Sequence, residues 1–121
     1  MEASRREMLL KLVEAVPAGR VATYQVMGGL VGASAREAAS VLGRLHPDEA
    51  DALPWHRVVG DQGWLGAVKL DRFGRTQEQR LVEDGLSVVQ GQVAGFAAVE
   101  LTAAELTEAP GEAPLRQAAG G

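Results

Sequence analysis

The chain has 121 residues, with twelve Lys and Arg against sixteen Asp and Glu, a formal net charge of −4 and no cysteine. That length suits one domain of modest core size, and the lack of thiols excludes disulfides, thiolate zinc sites and cysteine nucleophiles. The longest apolar run, 93–99, is far below the about 20 residues of a membrane span, and the opening residues 1–10 have no secretory-signal pattern, so a cytoplasmic protein is expected.

Charge is unevenly spread. Residues 1–80 hold eleven basic and ten acidic side chains, whereas 81–121 hold one and six. The acidity belongs to the last third, and the earlier part can present a locally basic face.

Ser4-Arg5-Arg6-Glu7 reads as a capping box, followed by Met8, Leu9, Leu12, Val13 and Val16 at helical spacing. This helix should stop before Pro17-Ala18-Gly19. A short extended piece, Arg20-Val21-Ala22, leads to Thr23 as N-cap of a second helix from Tyr24 to about Leu30. After Gly32, the capping box Ser34-Ala35-Arg36-Glu37 opens a third helix to about Leu45, with Ala35, Ala38, Leu42 and Leu45 facing inward. Helix, glycine turn, helix is the outline of a helix-turn-helix unit; on spacing alone an αα-hairpin of a bundle looks the same.

Residues 46–51 read as a polar, acidic loop. The apolar segment 53–60 is interrupted by His56 and Arg57. Thr76-Gln77-Glu78-Gln79 opens a fourth helix through Asp84, with Gly85 at C′. Residues 86–90 suit a strand, and 100–108 a short helix in a C-terminal extension spanning 91–108. The small-residue, Pro- and Gly-containing stretch 109–121 suits a disordered tail. No metal-ligand spacing and no phosphate-cradling glycine loop occurs, so neither metal nor cofactor is expected.

The segment Pro54-Trp55-His56-Arg57-Val58 is the most unusual local feature. Taken alone, it allows Trp55 as a core filler with Arg57 solvated, or Trp55 as the aromatic wall of a site. It resembles the PCHRV active-site motif of O6-alkylguanine-DNA alkyltransferases, with Trp55 in the place of the reactive cysteine. PWHRV is the form of the alkyltransferase-like proteins. The likeness runs from about Val16 to Gly85 and includes the Pro17-to-Tyr24 stretch (PAGRVATY), the helix-turn-helix and PWHRVVG.

The resemblance implies a mainly α, small single domain over residues 1–90 with a winged-helix-like helix-turn-helix. It implies that Tyr24 helps rotate the target nucleotide out and contacts the flipped guanine, and that Thr23 beside it belongs to the DNA-binding surface. Arg36 would fill the space that the base vacates, and Ala38, Ala39 and Ser40 would let the helix approach the minor groove closely. Trp55 would lie beside the alkyl substituent, the Val58 carbonyl would hold the guanine edge, and Trp64 would lie where the pocket closes. His56 and Glu78 would persist as the hydrogen-bonded remnant of a relay that activates the missing thiol.

The expected function is a non-enzymatic sensor of O6-alkylguanine in duplex DNA, acting as a monomer and handing the lesion to nucleotide-excision-repair proteins. The alternatives are a lesion-blind helix-turn-helix protein and a hydrolase using His56 with Glu78.

Overall fold

The computed structural model describes residues 2–66 and 73–107. The expected disordered tail, 109–121, and much of the loop after Trp64 lie outside them.

Helix α1 (Ala3–Glu14) begins two residues earlier than the Ser4 box suggests: Glu2 is the N-cap, and the Ser4 hydroxyl turns back to the Glu2 carboxylate. Leu9, Val13 and Val16 are buried, whereas Met8, one helical step off that stripe, is half exposed. Strand β1 (Ala22–Thr23) leads directly into α2 (Tyr24–Leu30), and the Thr23 hydroxyl accepts from the Val26 N–H at 3.1 Å. Ser34 and Glu37 form the complete capping box of α3 (Ala35–Gly43).

Gly28 makes the tight α2–α3 junction possible. Its carbonyl accepts from the Val31 and Ala33 N–H groups. A Cβ at Gly28 would lie 2.5 Å from the Ser34 carbonyl oxygen, inside van der Waals contact.

Residues 47–52 are a helix rather than the expected loop: α4 runs Pro47–Ala52, with His46 as N-cap, Pro47 in the first turn and Glu49 closing a box on the His46 N–H. Its apolar periodicity is too sparse to signal it, since Ala50 alone is buried. A 3₁₀ turn, Trp55–Arg57, precedes β2 (Val58–Val59), which pairs in parallel with β1 through Ala22↔Val58 and Thr23↔Val59. Another 3₁₀ turn spans Asp61–Gly63. Helix α5 (Gln77–Glu83) is capped by the reciprocal Thr76–Gln79 pair. It ends in a Schellman motif in which Leu86 N–H donates to Leu81 and Gly85 N–H to Val82, with Gly85 at φ +94°.

The expected strand at 86–90 becomes a hairpin, β3 (Val88–Val89) against β4 (Gln92–Val93), turning at Gln90 and Gly91 with both φ positive. Short helices α6 (Phe96–Val99) and α7 (Ala103–Thr107) follow. No helix among the described residues is long and apolar enough to cross a membrane.

The β1–β2 ladder sorts side chains by alternation. Ala22 and Val58 join the main core of α1–α4, and Val21 and Val59 join a smaller one with Leu81 and Val93. The chain beyond β4 closes both. Val99 and Leu101 bond the Val21 backbone, and Arg20 donates to the Val99 and Glu100 carbonyls and to Glu105. Leu101 and Leu106 are buried in the main core.

Candidate nucleic-acid interface and lesion pocket

Two sites meet at the helix-turn-helix. The first is an open groove of about 500 Å³ lined by Tyr24 and Gln25 of α2, Ala35, Arg36 and Ala39 of α3, and Gly60 and Asp61. Arg36 is exposed, and its guanidinium holds no partner among the described residues. Tyr24 is half buried, and burial raises its phenol pKa, so it remains a protonated donor at neutral pH. Gly66 packs so close to the Tyr24 hydroxyl that a Cβ there would lie 3.0 Å away.

Of the predicted contact residues, Arg36 and Ala39 line this groove, and half-buried Ser40 faces a separate hollow with Arg6 and Arg44. Ala38 does not belong with them. It is fully buried in the main core, because it lies one turn from Leu42 on the inward face. Ala35, expected inward, is exposed and lines the groove. Thr23 is buried and its hydroxyl is spent on capping α2, at the residue before Tyr24.

The second site lies beneath, where one face of α5 grips the PWHRV turn. Gln77, Arg80, Leu81 and Asp84 recur at helical spacing. The Gln77 amide donates to the Val58 carbonyl at 2.9 Å and to the His56 carbonyl at 3.2 Å, and its oxygen accepts from Gly66 N–H. Arg80 is buried, donates to the Ala50 and Leu53 carbonyls, and sets its guanidinium 5.5 Å from the Trp55 ring centre.

Asp84 accepts from both neighbours: His56 Nε2 at 2.8 Å, and Arg57 through Nε at 2.7 Å and Nη2 at 3.1 Å. Arg57 also donates to the Val16 carbonyl, tying the turn to the end of α1.

The carboxylate partner of His56 is therefore Asp84, not Glu78. Glu78 sits in the first turn of α5 and points to solvent. The buried face shared by Gln77, Arg80 and Leu81 is the signal that selects Asp84. Gln77 and Arg80 were missed for the same reason: they read as surface residues until their helical face is known to be the buried one.

Burial lowers the His56 pKa to about 4, against the Asp84 hydrogen bond that raises it. At neutral pH the imidazole is uncharged, with its proton on Nε2 toward Asp84 and Nδ1 without a partner among the described residues. For Asp84, burial favours the neutral acid, but the Arg57 and His56 hydrogen bonds outweigh it and hold the carboxyl below its ordinary value.

Trp55 is 4 % exposed and its Nε1 has no hydrogen-bond partner among the described residues. Its ring meets His56 edge-on at 6.3 Å and 88°. Val58 is equally buried, and its carbonyl, already bonded to Gln77, retains a second lone pair. Trp64 stands apart, 51 % exposed, its backbone bridging Gln92 and accepting from Gly60 N–H. It lines neither the groove nor the Trp55 cluster.

A helix-turn-helix with an unpaired arginine over a groove, and a buried PWHRV turn behind it, defines a small DNA-binding domain. The model of the DNA-binding domain of 6-O-methylguanine DNA methyltransferase matches residues 4–86, and the chain belongs to that family. Alkyltransferase-like protein 1 of Schizosaccharomyces pombe is 32 % identical over 89 residues, covering 69 % of this chain and 81 % of that protein. The DNA base-flipping protein of Escherichia coli is 36 % identical over 89 residues, 72 % of this chain and 66 % of that one. Among solved structures, S. pombe Atl1 in complex with damaged DNA containing O6-carboxymethylguanine superposes with a TM-score of 0.70 at 25 % identity, over 84 % of this chain and 99 % of Atl1. The mainly helical single-domain fold is thus that of the alkyltransferase DNA-binding domain.

Proposed function

We propose that this protein is a non-enzymatic sensor of O6-alkylguanine in duplex DNA. Helix α3 docks in the minor groove, where little sequence is legible, as suits a protein that must find damage in any context. The target nucleotide is turned out of the stack, at a cost of a few kcal/mol that is least where pairing is already weakened. Arg36 enters the gap and Tyr24 supports the rotated nucleotide. The alkyl group packs beside Trp55, gaining roughly 0.8 kcal/mol per buried methylene, while the free lone pair of the Val58 carbonyl accepts from the guanine edge.

The observation that carries this reading is Trp55 itself. It occupies the acceptor position of PWHRV in a chain without cysteine, on a turn braced by Gln77, Arg80 and Asp84. The related Atl1 complex with O6-carboxymethylguanine DNA supports the same ligand class here. A hydrolytic role for His56 loses support from its burial, and from an Asp84 carboxylate already shared with Arg57. Because nothing is transferred, the bound lesion must be passed on, and nucleotide-excision-repair proteins are the proposed recipients of a monomeric sensor–DNA complex.

The test is to titrate matched duplexes carrying guanine or O6-methylguanine at one position, at fixed salt, and then to weigh protein and oligonucleotide by mass spectrometry. Preference for the lesion with both masses unchanged is expected. Equal affinity defeats the sensor reading, and a protein heavier by one methyl group defeats the non-enzymatic one.

A further inference from the structure

Trp55 is a large ring placed where a lesion's substituent must find a fixed wall, yet among the described residues no side-chain hydrogen bond fixes it. Its Nε1 has no hydrogen-bond partner among the described residues, so the indole plane is set by packing contacts. Two are polar in character: the His56 edge at 6.3 Å and the Arg80 guanidinium at 5.5 Å from the ring centre.

Arg80 is itself immobilised. It is 8 % exposed, and its two Nη atoms donate to the Ala50 and Leu53 carbonyls at 2.8 and 3.4 Å. Those carbonyls belong to the C-terminal turn of α4, whose last carbonyls lack intrahelical donors and which favours a nearby cation. One side chain thus satisfies the end of α4 and covers Trp55. Its neighbours on α5 hold the rest of the turn, Gln77 through the His56 and Val58 carbonyls and Asp84 through the His56 and Arg57 side chains.

We propose that Arg80 is a positioning residue of the lesion pocket, clamping Trp55 by a cation–π contact so that the indole presents one orientation to the alkyl group. The planar guanidinium suits this task better than an ammonium, since it stacks on an aromatic ring while its fork still reaches two carbonyls. The proposal rests on the sensor reading for its effect on DNA, whereas its effect on Trp55 does not depend on that reading.

The test labels the protein with 5-fluorotryptophan, giving one ¹⁹F resonance for Trp55 and one for Trp64, assigned by the peak that vanishes in Trp64→Phe. Arg80→Met should shift and broaden the Trp55 resonance and leave that of Trp64 in place. The preference for O6-methylguanine over guanine duplex should fall at least fivefold, with affinity for the guanine duplex within twofold of wild type. Arg80→Lys should recover part of the preference. A Trp55 resonance that does not move, or a preference kept within twofold despite a moved resonance, overturns the clamp. If Arg80→Met does not fold, Arg80→Lys decides: at least a twofold loss of preference supports the clamp and an unchanged preference overturns it. A wild-type protein that binds both duplexes equally sinks the sensor reading instead, and the ¹⁹F shift then decides the clamp alone.

Discussion

The groove and the turn behind it are built on opposite terms. Around the groove, Arg36 is exposed and unpartnered among the described residues, and the α3 residues beside it are small. Behind it, Gln77, Arg57 and Asp84 are tied into hydrogen bonds around a buried tryptophan. The groove contributes little to stability and is free to meet a polyanion. The turn is rigid because its buried charges would otherwise be costly. The difference separates two tasks: affinity for DNA in general belongs to the groove, and discrimination between bases belongs to the turn.

The largest effect should come from cutting the turn. Asp84→Ala leaves Arg57 and His56 without their shared acceptor, and losing one partner of a largely buried pair costs about 3–5 kcal/mol. Urea unfolding measures this directly. Glu78→Gln, on the exposed side of the same helix, should stay within about 0.5 kcal/mol; equal losses in the two variants would undo the assignment of Asp84.

Acid should act on the turn next. With His56 at about 4 in the fold and near 6.5 in the unfolded chain, the unfolded state takes up the proton first as pH falls. Stability is complete above about pH 6.5 and drains toward pH 4, by up to about 3 kcal/mol from this group. Asp84, also held below its ordinary value, loses its contribution in the same direction at lower pH. A urea midpoint that does not move between pH 7 and 4.5 contradicts a neutral, buried His56, and His56→Gln should flatten the profile.

A smaller loss is expected at the α2–α3 junction. Gly28→Ala puts a methyl 2.5 Å from the Ser34 carbonyl, and such overpacking costs about 1–3 kcal/mol. Thermal melting reads the loss; an unchanged melting temperature would mean the α2–α3 junction is looser than described. The smallest stability effect belongs to Arg36→Ala, within about 0.5 kcal/mol. Its signature is instead in DNA binding: with no side chain to enter the gap, guanine and O6-methylguanine duplexes should both bind several-fold more weakly at fixed salt. Unchanged affinity for both duplexes would contradict its place in the gap.

Much of this division was legible in the chain. Thr23, Ser34 and Thr76 announce their helices because capping chemistry is local. PWHRV marks the turn for the same reason. What escaped depends on which side of an element is covered. Helix α4 hides behind its polar composition, with one buried alanine as its apolar signal. Ala38 and Ala39 are adjacent small residues whose opposite fates, core and groove, follow from a 100° step around α3. Asp84 and Glu78 are both carboxylates on or beside α5, told apart only by which side of the helix is covered. The contribution of 91–107 to both cores comes from backbone pairing of Val21 with Val99 and Leu101, long-range contacts that no short window contains.

The separation of affinity from discrimination is tested most directly by one ratio, the Kd for a guanine duplex over that for the matching O6-methylguanine duplex, measured at one salt concentration for three proteins. Wild type should favour the lesion by well over threefold, a difference of about 0.7 kcal/mol. Arg36→Ala should weaken binding to both duplexes and keep the ratio within twofold. Trp55→Leu, which keeps the core partly filled, should bring the ratio below threefold with little change for the guanine duplex. A wild-type ratio below threefold, or a ratio that survives Trp55→Leu, would contradict the account.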